Sequence, residues 1–253
     1  MNEFVHINGV AIRNVTMDEA LPLIAQWVQD GSKQSVFFVN ADCMNISAKD
    51  EGYRDCLTAN DTVVFADGVG IKLAGQLSQQ PIRDNVNGTD MFPLLCAQSA
   101  QNGQRIFLLG AREGIAETAR QNMMEKIPGL NICGAHHGYF DLDDCDDVLA
   151  AINEAQPDIL LVGLGAPRQE RFIHRHRDRI NAPVAMGVGG LFDFYSGRIP
   201  RAPTMLRNNG LEWTWRLAME PRRMWKRYLV GNFTFMGRVM WWQMTGRNRP
   251  WAS

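Results

Sequence analysis

Ala66-Asp67-Gly68 sets a carboxylate just past the apolar run Thr62-Val63-Val64-Phe65, beside a glycine that permits a tight turn. A carboxylate held there can face a cleft and take the proton of an attacking hydroxyl, which is general-base work. The same residues also suit a helix N-cap, a common use of Asp. Gly163-Leu164-Gly165-Ala166-Pro167-Arg168-Gln169-Glu170 follows another apolar run. Pro167 fits a first helical turn, so Gln169 either faces the site edge and bonds a sugar hydroxyl or merely completes the turn. Gly187-Val188-Gly189-Gly190-Leu191-Phe192-Asp193-Phe194 brings backbone that can approach a ligand closely. Its acid, Asp193, can bind both hydroxyls of a ribose or cap a buried turn. Gly110-Ala111-Arg112-Glu113-Gly114 joins a strand to a helix, where N–H groups attract phosphate. Its spacing is neither GxGxxG nor GxxxxGK[ST], so a plain glycine turn fits equally well.

Metal-ligand patterns are weaker. Asp141-Leu142-Asp143 has the DxD form found in metal-dependent sugar transferases, but it lies in an acidic run that opens a helix, where acids favour the dipole. His174 and His176 are two apart and point to different sides of a helix, and His136-His137 has no carboxylate or Cys partner at ligand spacing. The five cysteines form no CxxC pair and read as reduced thiols of a cytosolic enzyme. No metal site is expected.

The elements that must hold these residues follow from the apolar pattern. Val36-Phe37-Phe38-Val39 ends at Asn40, and Thr62–Phe65 ends at Asp67. Ile106-Phe107-Leu108-Leu109 ends at Gly110, Ile159-Leu160-Leu161-Val162 at Gly163, and Val184-Ala185-Met186 at Gly187. These runs lack strict alternation, as strands covered on both faces do. Helices are expected between them at about 17–30, 41–58, 90–102, 114–126, 146–155 and 169–180, the first opened by a Thr16/Glu19 capping box. The pattern predicts an α/β fold, a mostly parallel Rossmann-like sheet with helices on both faces. Ligands of such sheets bind at the carboxyl ends of the strands.

The chain of 253 residues has a net charge of −1, but that balance is uneven. From Arg198 onward there are 11 Lys/Arg against two acids, leaving 15 against 25 in the rest: near +9 in the tail and near −10 in the body. Six of the seven tryptophans lie in the tail as well. Two helices are expected there, roughly 204–219 and 222–243, with Pro221 between. The division is therefore an α/β catalytic domain over 1–196 and a helical appendage over 197–253. Arg216, Arg223 and Arg227 recur at near-helical spacing, interleaved with Trp. Such a helix suits an anionic membrane surface or a diphosphate; a nucleic-acid patch is weaker, because the acidic body would repel phosphate. The exposed Trp-rich tail also suits self-association, so a homo-oligomer is open. No signal peptide is evident at the start, and no apolar run approaches the roughly 18–20 residues of a membrane span.

Taken in order, the motifs are Asn40-Ala41-Asp42, Ala66-Asp67-Gly68-Val69-Gly70, Asn87-Gly88-Thr89-Asp90, Leu108-Leu109-Gly110-Ala111 and His137-Gly138-Tyr139-Phe140. They continue through Val162–Glu170, Gly187–Phe194, Arg201-Ala202-Pro203, Gly210-Leu211-Glu212-Trp213 and Glu220-Pro221-Arg222-Arg223 to Arg227-Tyr228-Leu229-Val230-Gly231-Asn232. This set resembles the WecG/TagA/CpsF family, glycosyltransferase family 26, from about residue 8 to about residue 232.

The resemblance implies an inverting, metal-independent transferase with no cofactor. Its donor would be a UDP-sugar, often UDP-N-acetylmannosamine, and its acceptor a polyprenyl-diphosphate-linked sugar on the cytoplasmic face of the bacterial inner membrane. Asp67 matches the family's base. Asn40, Asn87, Asp90 and Gln169 match positions near the sugars. Tyr139 and Asp193, with Gly110, Gly163, Gly165 and Gly189, match the side that holds UDP. Arg216 and Arg223 match the C-terminal appendage that closes over the site. One departure stands out. The family usually has Arg two residues before the Asn/Thr-Gly motif, where this chain has Asn85. Its role would pass to Arg83 or to a tail Arg, or be lost, and the donor sugar stays open between N-acetylmannosamine and glucose types. The alternatives are a non-catalytic nucleotide-binding membrane adaptor and another nucleotide-dependent α/β enzyme, such as an NAD-linked one. The intact Asp67, Gln169 and Asp193 count against the first, and the missing GxGxxG against the second.

Overall fold

The computed structural model describes residues 2–203, 205–206 and 211–245. Eight strands form one sheet in the order β1-β2-β4-β3-β8-β7-β5-β6. They are β1 Phe4–Ile7, β2 Val10–Arg13, β3 Gln34–Val39, β4 Thr62–Ala66, β5 Arg105–Gly110, β6 Asn131–His136, β7 Ile159–Gly163 and β8 Val184–Gly187. Among the described residues only the first pair is antiparallel. It is closed by Asn8 and Gly9 with φ of 49° and 78°, the two-residue turn whose twist matches the strands.

The five expected strands are β3, β4, β5, β7 and β8. Their side chains alternate between two cores. Phe37, Val39, Leu109 and Val162 enter one, and Val36, Phe38, Leu108 and Leu161 the other. Burial on both faces explains the near-continuous apolar runs. The hairpin and β6 were not expected. β6 is an edge strand interrupted by Cys133-Gly134, so it never forms a long apolar run.

Helices cover both faces. They are α1 Met17–Gln29, α2 Ala41–Ser47, α3 Glu51–Thr58, α4 Val69–Leu77, α5 Gly88–Asn102, α6 Ile115–Lys126, α7 Asp146–Glu154, α8 Arg168–His176 and α9 Leu191–Tyr195. α1 opens with the expected capping box, the Glu19 carboxylate accepting the Thr16 N–H at 3.0 Å. The single helix expected over 41–58 is two. Asp50 caps the second by accepting the Tyr53 N–H at 2.9 Å. α4 was not expected, since Gly68, Gly70 and Gly75 mask its pattern.

In the tail the described part of the first expected helix is α10, Glu212–Met219; residues 204 and 207–210 lie outside the described set. The second is broken into α11 Pro221–Trp225, a π-helical turn Lys226–Val230 and α12 Gly231–Thr245. α12 buries Phe235, Val239 and Trp242 in the same core as β3 and β4. Asn45 on α2 fastens it, donating to Gly231 O at 2.8 Å and accepting from Arg238 at 3.0 Å. No described helix is long and apolar enough to cross a membrane.

Candidate active site

A pocket of about 240 Å³ lies outside the carboxyl ends of the adjacent strands β4, β3, β8 and β7. Parallel sheets favour that edge because helices start there and present free N–H groups. Asn40 follows β3, Asp67 follows β4, Gly165 and Gln169 follow β7, and Gly189 follows β8; all line the pocket. Asn87 and Asp90 line it from the start of α5, and Arg216 from α10.

Asp67 is half-buried, and its N–H donates to Val39 O at 2.9 Å. The cap position of α4 is Gly68, not Asp67. Gly68 has φ +93°, a conformation suited to glycine, and its N–H donates to Asn85 Oδ1 at 2.6 Å. Asn40 caps α2, its Oδ1 accepting from the Asp42 and Cys43 N–H groups at 3.1 and 3.2 Å. Asn87 and Asp90 also serve the frame. Asn87 Oδ1 accepts the Asp90 N–H and its Nδ2 donates to Asp90 Oδ2, both at 2.8 Å. Asp90 Oδ1 in turn accepts from Arg201 at 2.7 Å, and Arg201 reaches Glu212 at 3.5 Å. This chain of polar groups ties the tail to the body at the pocket wall.

Gln169 is buried yet lines the pocket. Its Oε1 accepts the Gly189 N–H at 2.8 Å and its Nε2 donates to Glu170 at 2.9 Å. The carbonyl end of the amide thus holds the β8 loop. Glu170 lies behind it, and burial pushes its carboxyl up to about 7, against the Gln169 hydrogen bond.

Gly110, Gly163, Asp193, Tyr139 and Arg83 are not among the described residues that line the pocket. Gly110 and Gly163 are where neighbouring strand ends touch. A Cβ on Gly110 would sit 2.4 Å from Gly163 O, and one on Gly163 2.8 Å from Gly189 O. Asp193 accepts from Arg198 at 2.7 Å. That hydrogen bond is the main cause of the raised Arg198 pKa, and Tyr139 lies near enough to contribute. Tyr139 is 67% exposed. Asp193 borders the pocket behind Gly190, whose added Cβ would lie 3.8 Å from its Oδ2.

Arg83 is not at the pocket. Its guanidinium grips Glu19 at 2.7 and 2.8 Å, because the acid of the α1 capping box is within reach. Among the described residues the cation that lines the pocket is Arg216. It stacks 4.8 Å over the Phe194 ring, and its Nη2 would lie 3.2 Å from a Cβ on Gly190. The side chains of Arg223 and Arg227 lie outside the described residues.

Asp143 pairs with Arg175, and His176 packs on Phe172 and contacts Cys145 Sγ at 3.5 Å. Among the described residues no group of three His, Cys, Asp or Glu is placed to hold a metal. The pocket also recruits Glu212, Trp213, Met224 and Asn232. Residue types alone did not single these out, since chemistry-bearing spacing is a local signal and these come from the far end of the chain.

The chain matches the glycosyl transferase WecG/TagA/CpsF family over residues 5–249. It belongs to that family. It is 31% identical over 225 residues to an N-acetylglucosaminyldiphosphoundecaprenol N-acetyl-beta-D-mannosaminyltransferase of Staphylococcus aureus strain MW2, covering 88% of this chain and 86% of that one. The protein of the same name from strain NCTC 8325 / PS 47 gives the same figures. The WecG/TagA/CpsF match spans body and tail together, so this chain is a glycosyltransferase whose tail belongs to the matched unit.

Proposed function

We propose that this glycosyltransferase moves an N-acetylmannosaminyl or related hexosyl group from a UDP-sugar to a polyprenyl-diphosphate-linked sugar, with inversion and without a metal. The observation that carries the reading is that Asp67 and Arg216, far apart in sequence, line one pocket at the strand ends. Asp67 takes the proton of the acceptor hydroxyl, which attacks the anomeric carbon from the face opposite the leaving group. UDP departs, and its growing negative charge is met by Arg216 and by the N-terminal ends of α4, α5 and α8, whose first residues or immediate flanks line the pocket. Asn40 keeps its Nδ2 group as a donor for a sugar, since its Oδ1 caps α2. Gly165 and Gly189 offer close backbone approach. Asp193, with Tyr139 near its Arg198 partner, is the proposed uridine side.

The lipid acceptor needs a membrane. The outward face of the tail exposes Val230, Phe233, Met240, Trp241 and Met244, while the tail as a whole is near +9. Apolar side chains with a cationic surround suit peripheral docking on anionic lipid, here on the cytoplasmic face.

The test is UDP release from a panel of UDP-sugars, in EDTA, with a polyprenyl-diphosphate-sugar acceptor. Wild type releases UDP only when acceptor is present. Asp67→Asn lowers turnover by about 10²–10⁴-fold, the usual contribution of a placed base, with UDP binding retained. Turnover near wild type in Asp67→Asn sinks the assignment of the base, and release that requires an added divalent ion sinks the metal-free route.

A further inference from the structure

Asp67 is held by backbone on both sides. Its own N–H is fixed on Val39 O at 2.9 Å. The next peptide N–H, that of Gly68, is fixed on Asn85 Oδ1 at 2.6 Å, a bond spanning 17 positions of chain. Gly68 stands at φ +93° and caps α4 without a side chain of its own. Asn85 therefore gives the cap residue's own N–H the acceptor that an N3 side chain supplies in a capping box, where α4 has Ile71. Its own segment is braced. Asp84 Oδ1 accepts the Asn85 N–H at 2.7 Å, and Asp84 Oδ2 accepts the Met17 N–H at the start of α1 at 3.0 Å. The Arg83 N–H donates to Asn14 Oδ1 at 2.9 Å while its guanidinium holds Glu19. Arg83 thus serves as a strut for Asn85. Both Asn85 and Asp67 line the pocket.

We infer that Asn85 is a positioning residue for Asp67, setting the direction of that carboxylate through the Asp67–Gly68 peptide. The inference rests on the reading of Asp67 as the base. A base acts only within hydrogen-bond reach of its proton, and a small misplacement of a reacting group carries a large rate penalty. A loosened turn should therefore lower kcat while leaving the donor site intact.

Amide hydrogen exchange at Gly68 reads the bond without turnover, and steady-state kinetics across pH read its consequence. Asn85→Ala is expected to speed Gly68 exchange and to lower kcat by about tenfold, the order set by one hydrogen bond, with UDP Kd and donor KM within about twofold of wild type. Asn85→Asp keeps an acceptor atom. It is expected to restore Gly68 protection and most of kcat at high pH, with the acid limb of the pH–rate profile moved upward, because a second carboxylate disfavours ionisation of Asp67. Wild-type Gly68 exchange or wild-type kcat in Asn85→Ala overturns the inference, as does equal loss of kcat and UDP affinity, which would make Asn85 a ligand contact. An inactive Asp67→Asn beside a fully active Asn85→Ala overturns this inference alone. Turnover retained by Asp67→Asn overturns the base and the inference together.

Discussion

At the scale of single residues, the site is made of groups that also build the frame. Asn40, Asn87 and Gln169 each spend a carbonyl oxygen on backbone N–H groups, so what remains for a ligand is set by those bonds. Glu170 shows the cost of such a frame. Its carboxyl is buried and raised from the ordinary 4.5 to about 7. The folded state therefore holds this proton more tightly than the unfolded chain. Its stability contribution is full below about pH 4.5 and is lost as pH rises through about 7. Glu170→Gln removes that loss while keeping an acceptor for Gln169. The gain in stability over wild type should be near zero at pH 4.5 and grow by up to about 3 kcal/mol by pH 8. Denaturant midpoints that run parallel for the two proteins from pH 4.5 to 8 would rule this out.

At the scale of elements, the strand ends touch so closely that glycine is required. Gly110 has φ +143° and meets Gly163, and Gly163 meets Gly189 and the Phe192 ring. The contact aligns three loops at one edge of the sheet. Gly110→Ala forces a Cβ to 2.4 Å from a carbonyl oxygen in a backbone conformation strained for alanine. A loss on the order of 3 kcal/mol is expected, read as a lower Tm. An unchanged Tm would mean that β5 and β7 shift apart freely. A glycine needed for strand packing and one needed for ligand approach look alike in sequence, which is why the turn at Gly110 fits a phosphate loop and a plain glycine turn equally well.

At the scale of the whole molecule, the tail is a wall of the pocket and packs on the body. α10 brings Arg216 to the pocket, while α12 buries Phe235, Val239 and Trp242 on the body. Phe233 and Met244 face outward at 80% and 79% exposure. α12 is 15 residues long, about 22 Å at the helical rise, short of the roughly 30 Å of a bilayer core. Phe233→Glu with Met244→Glu should leave Tm and turnover on a soluble short-chain acceptor unchanged. Sedimentation with anionic vesicles should fall by at least about tenfold. Equal vesicle binding by wild type and variant would assign this face to something other than lipid.

The sequence marks the five central strands, the edge at which they end in Asn, Asp or Gly, and the family, because burial on both faces and turn chemistry leave local traces. It also marked Asp67 and the unequal charge of body and tail. The folded chain sets which of those marks converge. It brought Arg216 to the pocket, kept Arg83 away on Glu19, tied Gln169 to Gly189, and set Asn85 against Gly68. It also split the 41–58 helix and revealed β6 and α4. Each of these depends on contacts between segments distant in the chain. Local propensity and spacing carry no record of such contacts, because the partner that decides a side chain's use is supplied by the fold.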